Sequence, residues 1–223
     1  ITARVNVSAT QGISIGKYTG NDTRTATVPH DLGAKPDLII VKALNKSDNW
    51  VTYHSAMGAS YHGDMNLSGG FNSGGSKFAS IEPTSNVFSL ATDGAVNGSS
   101  YNYIFYAFAA VPGYSSFGRY EGNGNANGPF VHTGFRPAMV MVKNADGTGH
   151  WVIMDTTRDA DNPMEDRIKI DASDAESNTP AWDALSNGFK IRSTYSFSNT
   201  NGNTYVYWAM AENPFQANGG LAR

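Results

Sequence analysis

Pro36-Asp37-Leu38-Ile39-Ile40-Val41-Lys42 returns 101 positions later as Pro137-Ala138-Met139-Val140-Met141-Val142-Lys143. A tryptophan follows each copy at the same offset, Trp50 and Trp151. A histidine and a glycine precede each copy, His30 and Gly33 in one and His132 and Gly134 in the other. A chain that writes one buried-type segment twice must solve one packing problem twice, and that limits its folds severely. Each segment is about six residues long, largely apolar without polar alternation, and opened by a proline. Such a run fits a strand covered on both faces better than it fits a helix.

The flanking segments repeat too. Gly16-Lys17-Tyr18-Thr19-Gly20-Asn21 matches Gly118-Arg119-Tyr120-Glu121-Gly122-Asn123, and each reads as a short strand entering a Gly-Asn turn. Residues 23–28 are β-branched and predict a strand, with a bend around Pro29, Gly33 and Pro36 where ladder pairing must stop. Polar turns at 45–49 and 146–149 lead into strands that begin at Trp50 and Trp151. Further strands are expected at 87–90 and 188–192, then at 101–109 and 205–211, where the offset has grown to 102. Residues 63–76 and 155–178 are loose and polar, with 171–176 the best place for a short helical turn. Five or six short strands per copy predict an all-β chain of two tandem, internally duplicated β-sandwich units. The expected units are 16–113 and 114–223. Residues 1–15, an alternating strand, would connect to an upstream region or pair with a neighbouring subunit. One merged sandwich, with each copy supplying one sheet, is the alternative.

Composition agrees with a β-rich, turn-rich chain: 24 glycines in 223 residues and only 16% charged residues, against roughly 25% in typical soluble domains. A net charge of −3 without a basic run leaves nucleic-acid binding no electrostatic footprint. The absence of cysteine excludes disulfides, thiolate metal sites and cysteine nucleophiles. No apolar run reaches the roughly 18 residues of a membrane helix, so no membrane insertion is expected. The start at Ile1 suggests a piece of a longer or processed polypeptide.

Sites of chemistry are harder to find. His30 and His132 recur, and a framework role is expected for both, with a ring N–H donating to a backbone carbonyl at the bend. His54 and His62 with Asp64 lack a metal-ligand spacing. Asp155, Asp159, Asp161, Glu165 and Asp166 form the densest acidic run, but it lacks the glycine and closing glutamate of an EF-hand. It reads as a solvated loop neutralised by Arg158 and Arg167. No nucleophile elbow or phosphate loop is present, so no enzymatic activity, cofactor or metal is expected. Tyr101, Tyr103, Phe105 and Tyr207 stand at strand spacing beside Trp208, one set facing a core and the other an interface or a sugar-stacking surface. Asn66, Asn72, Asn97 and Asn102 would suit a glycan-binding surface. The loops at 58–80 and 155–180 differ most between the copies. Tyr61, His62, Asp64, Asn66, Asn72, Asp159, Asp161 and Asn162 are therefore the candidate surface-binding residues.

Taken together, Tyr18 to Asn21, Pro29 to Lys42, Asn49 to His54, Asn86 to Phe88, Asp93 to Gly98 and Tyr103 to Ala109 resemble a repeat of bacteriophage virion proteins, frequent in marine and cyanobacterial phages and in tail-fibre-like proteins. The resemblance spans residues 16–216. The second copy departs at Thr133 and at 195–200, in loops, which points to altered binding surfaces rather than an altered fold. The resemblance implies the distal region of a tail fibre or appendage that adsorbs to a host-surface glycan. It also implies a homotrimer among other virion proteins, located in the virion. A capsid-decoration or head-spike protein without receptor binding is the alternative, and a glycan-processing enzyme a weaker one. The family supplies no catalytic residues.

Overall fold

The computed structural model describes residues 1–214, and within them every pairing between strands is antiparallel. The only α-helix among the described residues is a single turn, so the chain is all-β. Two compact units result. One is Ile1–Asn66 with Phe71–Ala110, and the other is Leu67–Gly70 with the described residues from Val111 on. Each has its own core.

In the first unit, β1 (Ala3–Ser8), β2 (Ile13–Thr19), β3 (Ala26–Pro29), β4 (Leu38–Ala43), β5 (Val51–His54), β6 (Tyr61–Asp64), β7 (Asn72–Ser73), β8 (Val87–Leu90), the helical turn α1 (Gly94–Asn97) and β9 (Asn102–Phe108) follow in order. The large sheet runs β1-β2-β9-β4-β5-β6-β7, and β3 pairs with β8 as a second, two-stranded sheet. Ile39, Val41 and Ala43 of β4 enter the core with Tyr18, Tyr53, Tyr103 and Phe105, and β3 and β8 add Val28, Phe88 and Leu90. Tyr18 stacks on Tyr103 at 5.1 Å, and Phe88 meets Phe105 edge-on at 5.2 Å. Each such ring pair contributes about 0.5–1.5 kcal/mol beyond its area burial. The first fifteen residues contribute strands to this unit's own sheet. Ala3 to Ser8 pair with Tyr18 to Ile13, which makes β1 the edge of this unit's own sheet.

The second unit contains β10 (Ser115–Glu121), β11 (Phe130–His132), β12 (Pro137–Asn144), β13 (Val152–Asp155), β14 (Met164–Lys169), β15 (Ser177–Leu185), β16 (Gly188–Ile191) and β17 (Thr204–Ala211). Its single sheet runs β10-β17-β12-β13-β14-β15-β16-β11. Strands at its two ends, through Tyr120 and Val131, share one core, so the sheet curls back on itself. The acidic segment holds no helix. Residues 171–176 are the link of a hairpin between β14 and β15, because β14 finds partners on both sides, in β13 and β15.

The pairings recur between the units. Tyr18 faces Tyr103 and Gly16 faces Phe105 in one, and Tyr120 faces Tyr205 and Gly118 faces Tyr207 in the other. Tyr120 stacks on Tyr205 at 5.2 Å, and Phe189 meets Tyr207 edge-on at 5.5 Å.

A buried asparagine organises one turn in each unit. The Asp93 carbonyl accepts from the Val96 and Asn97 N–H groups, closing α1. The Asn97 amide then donates to the Thr23 and Ala91 carbonyls at 3.0 and 2.9 Å and accepts from the Asn21 N–H at 3.0 Å. In the second unit the Tyr195 carbonyl accepts from Ser198 and Asn199, and the Asn199 amide donates to the Ser193 and Asn125 carbonyls and accepts from the Asn123 N–H. The glycine of each Gly-Asn pair is required by close approach: a Cβ on Gly20 would lie 2.3 Å from the Gly98 carbonyl oxygen, and one on Gly122 2.2 Å from that of Thr200. The departure at 195–200 therefore preserves the backbone turn. Asn97, expected on a glycan-binding surface, is wholly buried.

Candidate functional site

The candidate surface residues separate by burial. On β6 and β7, Tyr61 and Asn72 are exposed, while His62 between them is 8% exposed. Burial lowers the His62 pKa and raises that of Asp64. Lys77, paired with Asp93 at 2.7 Å, lowers the His62 pKa further and works against the rise at Asp64. For Asp93 itself, burial opposes the charge, but Lys77 and the Ala95 N–H outweigh it and hold the carboxyl below its usual range. Asn66 is exposed, and its amide is already engaged: Oδ1 accepts from the Trp50 N–H, and Nδ2 donates to Asn49 Oδ1. Glu82 ties down the loop that follows β5, accepting from Tyr53, Lys35 and the Ala59 N–H. This polar region is a fixed scaffold with Tyr61 and Asn72 presented from it.

In the second unit the acidic run is bonded within itself. Asp155 accepts from the Thr157 and Arg158 N–H groups and from the Arg158 guanidinium at 2.6 Å, and Arg158 also pairs with Glu176. Burial opposes the charge on Asp155, and these partners outweigh it, which lowers its pKa. Asp159 accepts from the Glu165 and Asp166 N–H groups. Asn162 uses both ends of its amide on the Ala184 backbone, and Asp161 is exposed. Among the described residues no set of His, Asp or Glu side chains gathers as metal ligands do.

Arg158 neutralises the acidic run as expected, but Arg167 does not. Its guanidinium lies 5.1 Å from the Tyr195 ring and 4.8 Å from the Phe197 ring, and Nη1 donates to the Thr179 carbonyl. Tyr195 and Phe197 are nearly parallel, 5.4 Å apart, and Tyr195 is 38% exposed. The result is a half-exposed aromatic shelf backed by a cation. Sequence reading noted the break in the repeat at 195–200 but not this grouping, since Arg167 arrives from a different hairpin.

The histidine pair also divides. His30 is buried, with Nε2 3.2 Å from the Thr84 carbonyl and Nδ1 accepting from the Leu32 N–H, which is the expected framework role. His132 is exposed. The registers explain why: Val28 faces Phe88 as Val131 faces Phe189, so His132 takes the place of Pro29. His54 is buried and accepts from the Ala56 N–H.

A family model described as a domain of unknown function, DUF7483, matches residues 1–214. The chain belongs to this family. Among curated proteins and among solved structures, none matches it. The span of the DUF7483 model takes in β1, which the repeat read from residue 16 leaves out.

This DUF7483 domain contains one buried amine of unusual character. Lys143 is wholly buried, and its Nζ donates to the Gly149 and Ser68 carbonyls at 2.6 and 3.0 Å. Burial lowers its pKa to about 8, against a smaller opposing effect of Asp171. A nucleophilic amine needs access to substrate, and this one has none. Lys42 repeats the bond, donating to the Asp48 carbonyl at 2.7 Å. Both lysines clamp the turn that follows the buried strand.

Proposed function

We propose that this chain is a non-enzymatic structural part of a bacteriophage particle, the distal region of a tail fibre or related appendage, and that it contributes to adsorption on host-surface glycan. The phage setting comes from the repeat motifs at residues 16–216. The binding role is carried by one observation: two turns of like backbone, at 93–98 and 195–200, hold unlike side chains. In the first unit the turn carries Asp93 paired with Lys77. In the second it carries the Tyr195, Phe197 and Arg167 shelf. A constant frame with changed tips suits recognition, and aromatic faces beside hydrogen-bond donors suit sugar rings. Partners on this proposal are further copies of the chain in a homotrimer, other virion proteins and the host glycan. Weak contacts of this kind become tight when several are presented together.

The test is binding of the fluorescently labelled chain to intact host cells and to cells stripped of surface polysaccharide. Saturable binding that stripping abolishes, and that Tyr195→Ala and Arg167→Ala each weaken at least tenfold, is the expected result. Absence of binding by the folded, assembled wild type would overturn the adsorption role and leave a particle-building role without a receptor.

A further inference from the structure

Arg4 and Lys17 stand directly opposite each other on β1 and β2. Like charges so placed repel, and a sheet normally avoids the pairing. Both side chains are exposed, and among the described residues neither forms an ion pair. A charge on an edge strand guards against stray pairing, which would account for Arg4 on β1. It does not account for Lys17, because β2 lies between β1 and β9. Nor does overall solubility call for two more cations at one point, although the chain's net charge is −3.

The pair borders a cleft of about 450 Å³ in the first unit, within the range of roughly 300–1,000 Å³ usual for small-molecule sites. Thr2, Thr19 and Asn102 line it with hydroxyl and amide groups, and Leu44, 49% exposed, supplies an apolar wall. The Thr19 hydroxyl donates to Asn102 Oδ1 at 2.9 Å, which fixes the amide and leaves its NH2 as a donor. Two uncompensated cations, neutral donors and an apolar wall are the complement of an anion that also carries hydroxyls and a C–H face.

We infer that this cleft binds an acidic saccharide, with its carboxylate between Arg4 and Lys17 and its hydroxyls on Thr19 and Asn102. The choice of a saccharide over other hydroxylated anions rests partly on the host-adsorption proposal; the anion preference rests on the cleft alone. Arg4 offers a planar fork for a carboxylate, and Lys17 a point charge beside it. Because both cations are exposed, binding must weaken with salt.

Titration calorimetry of the full chain with trigalacturonate, neutral maltotriose and sodium sulfate tests this. Saturable binding of trigalacturonate is expected, at least threefold weaker at 300 mM than at 50 mM NaCl. Maltotriose and sulfate should each bind at least tenfold more weakly. The double variant Arg4→Gln, Lys17→Gln should lose trigalacturonate binding at least tenfold while its thermal unfolding stays within 2–3 °C of wild type. Maltotriose binding as well as trigalacturonate, sulfate matching it, an unaffected double variant, or no binding at all would each overturn the inference. The two proposals fail separately. Host-cell adsorption retained by the double variant would remove this cleft from adsorption and leave the adsorption role intact. Trigalacturonate binding without host-cell adsorption would do the reverse.

Discussion

Asn97 commits its whole amide to backbone, two carbonyls on the nitrogen and one N–H on the oxygen. Asn199 does the same in the second unit and gains a bond to Asn123 Oδ1. Asn97→Ala would leave these groups without their partner, at a cost of about 2–4 kcal/mol. Asn97→Asp is the sharper probe. It keeps the shape but turns a carboxylate oxygen on the Thr23 and Ala91 carbonyls, so at pH 7 it should cost at least as much as alanine. Repulsion raises the folded-state pKa of that carboxyl above its unfolded value, so part of the loss should return as pH falls towards 4. Urea unfolding of both variants decides the matter, and an aspartate milder than alanine at pH 7 would show that the amide nitrogen's bonds contribute little. In the sequence Asn97-Gly98 looked like any exposed turn. Asn199 lay hidden because the residues around it share no motif with Asp93 to Gly98.

The buried strands and their hairpins were legible as elements. Leu38–Ala43 is buried almost throughout, and Pro137–Asn144 largely so. The lysine that closes each run had a reason the sequence did not give: it donates to the carbonyl six residues on and fixes the turn. This yields a pH prediction for the second hairpin. The Lys143 pKa falls from 10.5 to about 8 on folding, so between those values the unfolded chain holds the proton more tightly. Stability should therefore rise with pH from about 8 towards 10.5, by at most on the order of 3 kcal/mol. Below about pH 8 both states are protonated and the full penalty is present. Denaturant unfolding at pH 7.5 and 9.5 should show wild type gaining about 1–2 kcal/mol relative to Lys143→Met. Equal responses would mean that the buried ammonium carries no such penalty. The two tryptophans that follow these strands diverge, Trp50 being 38% exposed and Trp151 1%. Their matched spacing could not foretell this, since burial depends on what covers the hairpin.

Across the whole molecule the same ladder order appears twice around β9 and β17. β9 lies between β2 and β4, and β17 between β10 and β12. Their amides are bonded on both sides and stand over the aromatic cores, so they should open only with global unfolding. Hydrogen exchange followed by mass spectrometry should find the slowest amides in 38–43, 102–108, 139–144 and 204–211, and much faster ones in β1 and β7. Equal protection in β1 and β9 would contradict the edge position of β1. A connection leading away from the fold would expose the first fifteen residues fully, whereas an edge strand protects alternate amides.

Local chemistry set the strand class, the two cores and the glycine before each asparagine turn. Branched apolar runs, turn residues and ring spacing act over a few residues and leave their mark in the sequence. Register, and everything that follows from register, waited for the fold. A shift of one residue sends His132 to the surface while His30 stays buried, because side chains alternate between faces with a period of two. Residues 171–176 became the link of a hairpin rather than a helical turn because β13 offered β14 an edge, a choice that long-range pairing decides. Arg167 and Tyr195 are likewise neighbours only because the fold brings separate stretches of chain together, whereas Arg4 and Lys17 meet across one short hairpin whose register sets them opposite each other.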